Sequence, residues 1–504
     1  MNKKKKEIPL KNIRLRFPPS PTGPLHIGNA RTLLFNYLFA KKYGGAIVLR
    51  IEDTDKERSE LRWVEEIIEQ LTWLGIAWDE GPDIGGKFGP YKQSQRLATY
   101  KTYLEKLLQE KKAYYCFCSA EELEEKKQRQ LATGLAPKYD GTCRNLTDSI
   151  VAKNMQEGKQ STIRFKMAER KVAFEDLIRG SVEFDASLIG DTVIAKNLME
   201  PLYNFAVVVD DFLMEISHVI RGEDHISNTP KQMLLQEALG LPQVTYAHLP
   251  LLLNPDKSKM SKRAGDVAVS EYRTKGYLPE ALINFMALLG WNPGTEKEIF
   301  TLKELGKEFS MERVQKSGAI FNVQRLDFLN SLYIREESVS VLTKLCMPYL
   351  PENATKMSKK QLEQIVALHQ ARMKKLSDIT ELADFFFHEK LTVDPTILKW
   401  KEMENKDVTE ALLLCLTAVR QATKATKWNQ KELEKILITA AEEFNKTKGY
   451  PVQNRGYLLW PLRVALSGRE ASAGPFEIAE ILGKEVTLQR IQDAIDLVKD
   501  RGIL

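Results

Sequence analysis

The chain has 504 residues, of which 43% are hydrophobic and 28% charged, with a net charge of +6. That length is too great for one core and calls for several domains, and the composition fits a globular protein. So small an excess of positive charge implies no more than a basic face, and five cysteines are too few for a disulfide framework and fit a reducing compartment.

Residues 1–11 carry a lysine run with the charge of a secretion-signal start, but Pro9, Lys11, Arg14 and Arg16 interrupt any apolar segment behind it. They read as a disordered basic tail. No apolar run reaches the length of a membrane span, and a cytosolic, membrane-free location is expected. Ile13, Leu15 and Phe17 alternate with Arg14 and Arg16, which predicts a strand. Three prolines then stop sheet pairing, and Gly23 is expected to supply dihedrals closed to other residues. After Gly28, Ala30, Leu33, Leu34, Tyr37 and Leu38 recur at helical spacing as far as Gly44 and Gly45. Strand, tight loop and helix start together make a phosphate site, because the first N–H groups of a helix lack partners and its dipole is positive there. His26 stands at that helix start, where it can donate to a phosphoryl oxygen. Taken alone, the segment is also an ordinary strand-to-helix turn.

A strand at 46–51 runs into the acidic segment RIEDTD at 50–55. Carboxylates at the C-terminal end of a parallel strand lie where open α/β sheets bind ligands. Glu52 is a candidate partner for a substrate ammonium group; the alternative is a charge at the start of the helix that runs to Gly75. A further helix is expected over 94–110. Cys116, Cys118 and Cys143 follow, and three thiols at this spacing suggest structural zinc with Tyr139 as fourth ligand, or else three reduced cysteines. Residues 160–220 read as rich in strands, with 203–211 a buried apolar run ending in two acids. A strand at 216–220 delivers the segment RGEDH at its C-terminal end, a helix covers 228–239 and a strand 245–253. Residues 12–98 and 207–255 thus read as two halves of one parallel sheet, with 99–206 inserted between them. The loop that follows packs Lys257, Lys259, Lys262 and Arg263 among turn formers. It is either a mobile cationic loop suited to closing on polyphosphate or a solvated basic loop. From about 301 the chain reads as helical to its end. Helix starts are expected at Ser358, Asp407 and Asn429, and Trp428, Tyr457 and Trp460 are candidates for a nucleic-acid face or for plain core.

The pair PSPTGPLHIG at 19–28 and KMSKR at 259–263 resembles the two signatures of class I aminoacyl-tRNA synthetases. The segments RIEDTD at 50–55, GPYKQS at 89–94, VVDD at 208–211, VIRGED at 219–224 and FLN at 328–330 resemble the bacterial glutamyl-tRNA synthetases within that class. The resemblance implies an α/β fold, a Rossmann-like parallel-sheet catalytic domain with an inserted acceptor-binding domain, followed by an all-α anticodon-binding half. It divides the chain into the catalytic halves 12–98 and 207–255, the acceptor-stem insertion 99–206, a loop and stem-contact region 256–335 and the anticodon region 336–504. It implies activation of glutamate by ATP with Mg2+ and transfer to tRNA(Glu), by a monomer. Catalysis would fall to His26, Lys259 and Lys262. ATP would be held by Pro21, Thr22, Gly23, His26, Gly28, Asn29, Lys259, Met260, Ser261, Lys262 and Arg263. Glutamate would be held by Arg16, Ser20, Glu52, Tyr203 and Arg221. The zinc site of some members resembles the cluster Cys116, Cys118 and Cys143, with Asn145 where those members carry a histidine; Tyr139 stays the candidate fourth ligand. A small-molecule nucleotidyltransferase would not need the long helical C-terminal half, and a non-catalytic paralogue would be expected to lose His26 or Lys262.

Overall fold

The structure, a computed structural model, describes residues 12–55, 57–260, 267–425 and 428–500. The basic tail and Ser261, Lys262 and Arg263 of the cationic loop lie outside the described residues. The chain forms two compact units, residues 1–274 with 279–326, and residues 275–278 with 327–504.

In the first unit, β1 (Arg14–Phe17), α1 (Ile27–Tyr43) and β2 (Ala46–Leu49) form a βαβ start, with β1 and β2 parallel in the register Arg14 opposite Ala46. His26 caps α1 at its N-terminus, and Gly44, at φ 65°, caps its C-terminus. The positive-φ glycine of this segment is therefore Gly44 rather than Gly23. Next come α2 (Leu61–Trp73), α3 (Leu97–Gln109), β3 (Ala113–Cys116), α4 (Ala120–Ala132) and α5 (Asp148–Gln156). They are followed by β4 (Thr162–Phe165), β5 (Lys171–Asp176), β6 (Gly180–Asp185), β7 (Thr192–Asn197) and β8 (Glu200–Pro201). Then α6 (Tyr203–Leu213), β9 (His218–Gly222), α7 (Thr229–Leu239) and β10 (Thr245–Leu249) return to the parallel layer. β9 pairs with β10, and β10 with β5, all in parallel. The Ser217 N–H, donating to the Arg14 carbonyl at 3.0 Å, sets β9 beside β1. The strands β3, β4, β7 and β8 form a separate antiparallel sheet.

Two readings of the sequence need correction. The run at 203–211, expected within a strand-rich stretch, is the helix α6. Its valines, poor helix formers, are carried by burial on nearly every side of the helix. The β5–β6 hairpin, although inside the stretch 99–206 read as an insertion, joins the parallel sheet at β10. In β1, Arg16 is buried although it alternates with apolar residues, because a parallel sheet is covered on both faces.

What Arg16 meets inside is charge. The last turn of α6 carries Asp210 and Asp211, both buried. Arg16 Nε lies 3.3 Å from each Asp211 oxygen, and Arg50 Nη1 lies 2.8 Å from Asp211. Asp210 accepts from Arg96 Nε at 2.7 Å, from the Tyr100 hydroxyl at 2.7 Å and from Gln93 Nε2 at 2.9 Å. These contacts join α3, α6 and the ends of β1 and β2.

The second unit is helical throughout its described residues. Its longest helices are Asn405–Ala425, Gln430–Lys448 and Lys484–Asp500. Ser358 and Asn429 each cap a helix as expected, whereas Asp407 sits inside the first turn of its helix and accepts from the Tyr450 hydroxyl at 2.5 Å. The three aromatics singled out for a nucleic-acid face are engaged internally. Trp428 Nε1 donates to the Ala479 carbonyl, Trp460 Nε1 donates to Ile397, and Tyr457 stacks on Tyr450 with ring centroids 3.9 Å apart. Among the described residues, no helix is long and apolar enough to cross a membrane.

Removing one partner of a buried charged cluster leaves the others desolvated and unpaired. Asp210→Ala should therefore destabilise the first unit by about 3–5 kcal/mol, read as a lower urea midpoint. A loss below about 1 kcal/mol, the level of an exposed ion pair, would show that the network contributes little to stability.

Candidate active site

A cavity of about 1020 Å³ opens at the C-terminal ends of β1, β2 and β9. Arg16, Glu52, Tyr203 and Arg221 line it, as do Ser20, Thr22, Gly23, His26, Gly28 and Asn29 from the first signature and Lys259 and Met260 from the second. Of the expected residues that are described, Pro21 alone lies outside this lining. It is buried, and its carbonyl accepts the Glu60 N–H at 3.0 Å.

The first signature is shaped around His26. Its Nδ1 accepts the Gly28 N–H at 2.9 Å, which puts the ring proton on Nε2. A Cβ at position 28 would lie 3.1 Å from that Nδ1, so glycine keeps the approach open. The second signature is tied to the first on its far side. The Ile27 N–H donates to the Val267 carbonyl at 2.7 Å, and the Val269 N–H to the Leu25 carbonyl at 2.9 Å. On its near side the Met260 N–H donates to the Leu252 carbonyl at 3.1 Å, and Lys259 Nζ lies 3.2 Å from Asp224 Oδ2.

Two arginines converge on the cavity. Arg16 spends its Nε on Asp211, while its buried Nη1 has no hydrogen-bond partner among the described residues. Arg221 donates from Nε to His248 Nε2 at 3.1 Å, from Nη1 to Gln232 at 2.8 Å and from Nη2 to Thr229 at 2.8 Å. A guanidinium has five N–H donors, so two remain. Glu52 is buried, and its nearest cation is Arg50 Nη2 at 3.1 Å. Burial pushes its carboxyl up to about 7, against the pull of Arg50 and Arg16. The Tyr203 hydroxyl lies 3.2 Å from His225 Nδ1, and burial raises its pKa.

Sequence reasoning missed Asp211, which orients Arg16, and His225, Asp224 and Arg31, which also line the cavity. The clue to two of them was at hand, since RGEDH at a strand end carries three more polar side chains than the one chosen. Such an assembly can hold an anionic, phosphorylated ligand beside a zwitterion with an extra carboxylate.

The cysteine cluster lies elsewhere, at the end of β3. The three thiol sulfurs lie within 4.8 Å of one another, and Cys118 Sγ is 3.7 Å from Cys143 Sγ. The Tyr139 hydroxyl is 3.4 Å from Cys116 Sγ and 3.6 Å from Cys118 Sγ. Tetrahedral zinc with sulfur ligands at about 2.3 Å sets its donors about 3.8 Å apart, so this donor set fits that ion. Asn145, one turn on, is exposed.

Comparison with known proteins gives a consistent answer. The family described as tRNA synthetases class I (E and Q), catalytic domain, matches residues 12–328, and an anticodon binding domain matches 341–495. A glutamate–tRNA ligase of Caldicellulosiruptor saccharolyticus is 45% identical over 491 residues, covering 95% of this chain and 98% of the relative. One from Carboxydothermus hydrogenoformans is 43% identical, with 95% and 99% covered. The crystal structure of a glutamate tRNA ligase from Elizabethkingia meningosepticum in complex with its amino acid superposes with a TM-score of 0.86 at 34% identity, covering 97% of this chain and all of that one.

The cysteine cluster can be checked by itself. Protein purified without chelator should carry up to one equivalent of zinc, and Cys118→Ser should lose it. Wild-type protein free of metal under those conditions would leave plain structural thiols.

Proposed function

Since the chain belongs to the class I tRNA synthetases (E and Q) and ligates glutamate to tRNA, we propose that this single cavity seats glutamate and ATP side by side. The observation that carries the assignment of the amino-acid end is the buried, unpartnered Nη1 of Arg16. A desolvated guanidinium nitrogen is costly unless an anion meets it, and a glutamate carboxylate supplies one. Arg221 offers its two remaining N–H donors to the other carboxylate. Glu52 takes the ammonium group, Tyr203 adds a hydrogen bond, and Ser20 closes the rim.

At the ATP end, His26 presents Nε2–H to the α-phosphate, with the loop of Thr22 and Gly23 and the helix start at Gly28 and Asn29 beside it. Pro21 shapes that loop through its bond to Glu60. Lys259, Met260, Ser261, Lys262 and Arg263 cover the departing pyrophosphate, and Mg2+ would arrive with ATP. One glutamate α-carboxylate oxygen attacks the α-phosphorus, the bond to the bridging oxygen breaks, and pyrophosphate leaves as glutamyl-adenylate forms. The 3′-terminal ribose hydroxyl of tRNA then attacks the activated carbonyl and AMP departs. No covalent protein intermediate is needed, so catalysis is positioning plus stabilisation of charge developing on phosphate.

The division into catalytic halves 12–98 and 207–255, acceptor-stem insertion 99–206, stem-contact region 256–335 and anticodon-binding region 336–504 belongs to this reading. Zinc held by Cys116, Cys118, Cys143 and Tyr139 would fix the insertion. A monomer acting in the cytoplasm belongs to this reading, and the five unpaired cysteines support the cytoplasmic site of action.

The test is pyrophosphate exchange in the presence of tRNA. An arginine site built for a carboxylate rejects the amide, which leaves a guanidinium unpaired, so glutamate should exceed glutamine by about four orders of magnitude in kcat/KM. Arg16→Ala should raise the glutamate KM steeply and leave the ATP KM nearly unchanged. Comparable rates with glutamine would sink the assignment; loss of ATP affinity would move Arg16 to the phosphate end.

Glu52 gives a pH dependence. Its folded pKa lies above the ordinary carboxylate value, so the folded protein holds a proton that the unfolded chain has released, and this group weakens the fold as pH rises towards about 7. Ammonium binding needs the ionised form. The glutamate KM should therefore climb as pH falls below about 7, approaching tenfold per pH unit, and Glu52→Gln should flatten the profile while weakening binding. A glutamate KM constant from about pH 6 to 8 would remove Glu52 from ammonium binding.

A further inference from the structure

Behind Arg221 lies a buried relay that no substrate reaches. Asp176, the last residue of β5, accepts at Oδ1 from the backbone N–H groups of Ile178 (2.9 Å) and Arg179 (2.8 Å). Its Oδ2 lies 2.6 Å from His248 Nδ1, and both side chains are fully buried. His248 Nε2 faces two donors, Arg221 Nε at 3.1 Å and the Thr229 hydroxyl at 3.1 Å. Thr229 in turn accepts from Arg221 Nη2, so its own hydrogen is available to the imidazole. A ring nitrogen met by a guanidinium N–H must present a lone pair, so His248 is neutral and carries its proton on Nδ1. Burial lowers the His248 pKa despite Asp176, in keeping with that neutral form.

We propose that Asp176 and His248 are positioning residues: the carboxylate fixes the imidazole tautomer, and the imidazole fixes the plane in which Arg221 offers its remaining N–H groups to a glutamate carboxylate. The proposal rests on Arg221 as a carboxylate site. The relay crosses three strands, from β5 through β10 to β9, so the amino-acid pocket is set partly by a residue of the inserted stretch.

Asp176→Asn is a sharp probe because the orientation of the new amide is dictated. The Ile178 and Arg179 N–H groups, at 2.9 and 2.8 Å, keep the amide oxygen at the Oδ1 position against the single His248 backbone N–H that meets Oδ2 at 3.1 Å, which turns the NH2 group towards His248 Nδ1. The imidazole must then move its proton to Nε2, against the Arg221 N–H. Loss of one charge-assisted hydrogen bond predicts a roughly ten- to hundredfold rise in the glutamate KM, with the ATP KM and kcat nearly unchanged. Imidazole nitrogen NMR of the full chain, which has six histidines, should show one ring switching tautomer, assigned by its absence in His248→Gln. His248→Gln keeps an acceptor for Arg221 Nε and should be milder than His248→Leu.

The outcomes separate. If Arg221→Ala raises the glutamate KM while Asp176→Asn leaves it at the wild-type value, the relay is idle and the proposal fails alone. If Arg221→Ala itself leaves glutamate binding unchanged, the reading of Arg221 fails and takes the proposal with it. A parallel loss of ATP and glutamate affinity in Asp176→Asn, or loss of the fold in that variant, would mark a structural role only and overturn it, as would equal effects of His248→Gln and His248→Leu.

Discussion

The active region depends on charge buried under the sheet ends. Asp210 and Asp211 hold Arg16, Arg50 and Arg96 in a space almost closed to water. Each ion alone would cost several kcal/mol to desolvate, and only mutual pairing with further hydrogen bonds offsets it. Such a cluster tolerates few geometries. Burial lowers the pKa of Arg50, but the three surrounding carboxylates outweigh it and the net shift is upward, so the guanidinium stays charged. With Arg50 and Asp211 fixed, Arg16 has one place for its Nε, and the residue is held in the cavity lining.

The same arrangement explains the contrast between the neighbouring carboxyls. Asp211 is met by two guanidinium groups, whereas Glu52 meets one directly, and burial raises its pKa. Asp211 orients Arg16, whereas Glu52 retains an open proton equilibrium. A substrate cation arriving next to Glu52 alters that equilibrium, which couples binding to the removal of a proton.

Much of this was legible in the chain. Strand-to-helix punctuation located β1, α1 and β2, because proline, glycine and helical spacing act locally. The two signatures located the cavity from residues more than 200 positions apart. What escaped depended on three-dimensional burial. The valines of α6 have no intrinsic helical preference to announce them, and Arg16 alternates like a solvated residue although an aspartate 195 positions away draws it inward. Trp428 and Trp460 resembled a stacking surface because sequence does not disclose which carbonyl satisfies an indole. His248 gave no local signal, since its partners come from three separate segments.

The attachment of the β5–β6 hairpin to β10 bears on how this architecture can be recombined. An insertion connected only at its two ends behaves as a cassette and can be exchanged between homologues by matching the splice points. Here β5, within the stretch 99–206 proposed as an insertion, is a structural strand of the parallel sheet. A chimera spliced at the chain boundaries would import another protein's edge strand, and with it whatever residue stands at the end of β5. Grafts that preserve the parent's pocket would have to be cut inside the insertion, leaving 171–185 behind.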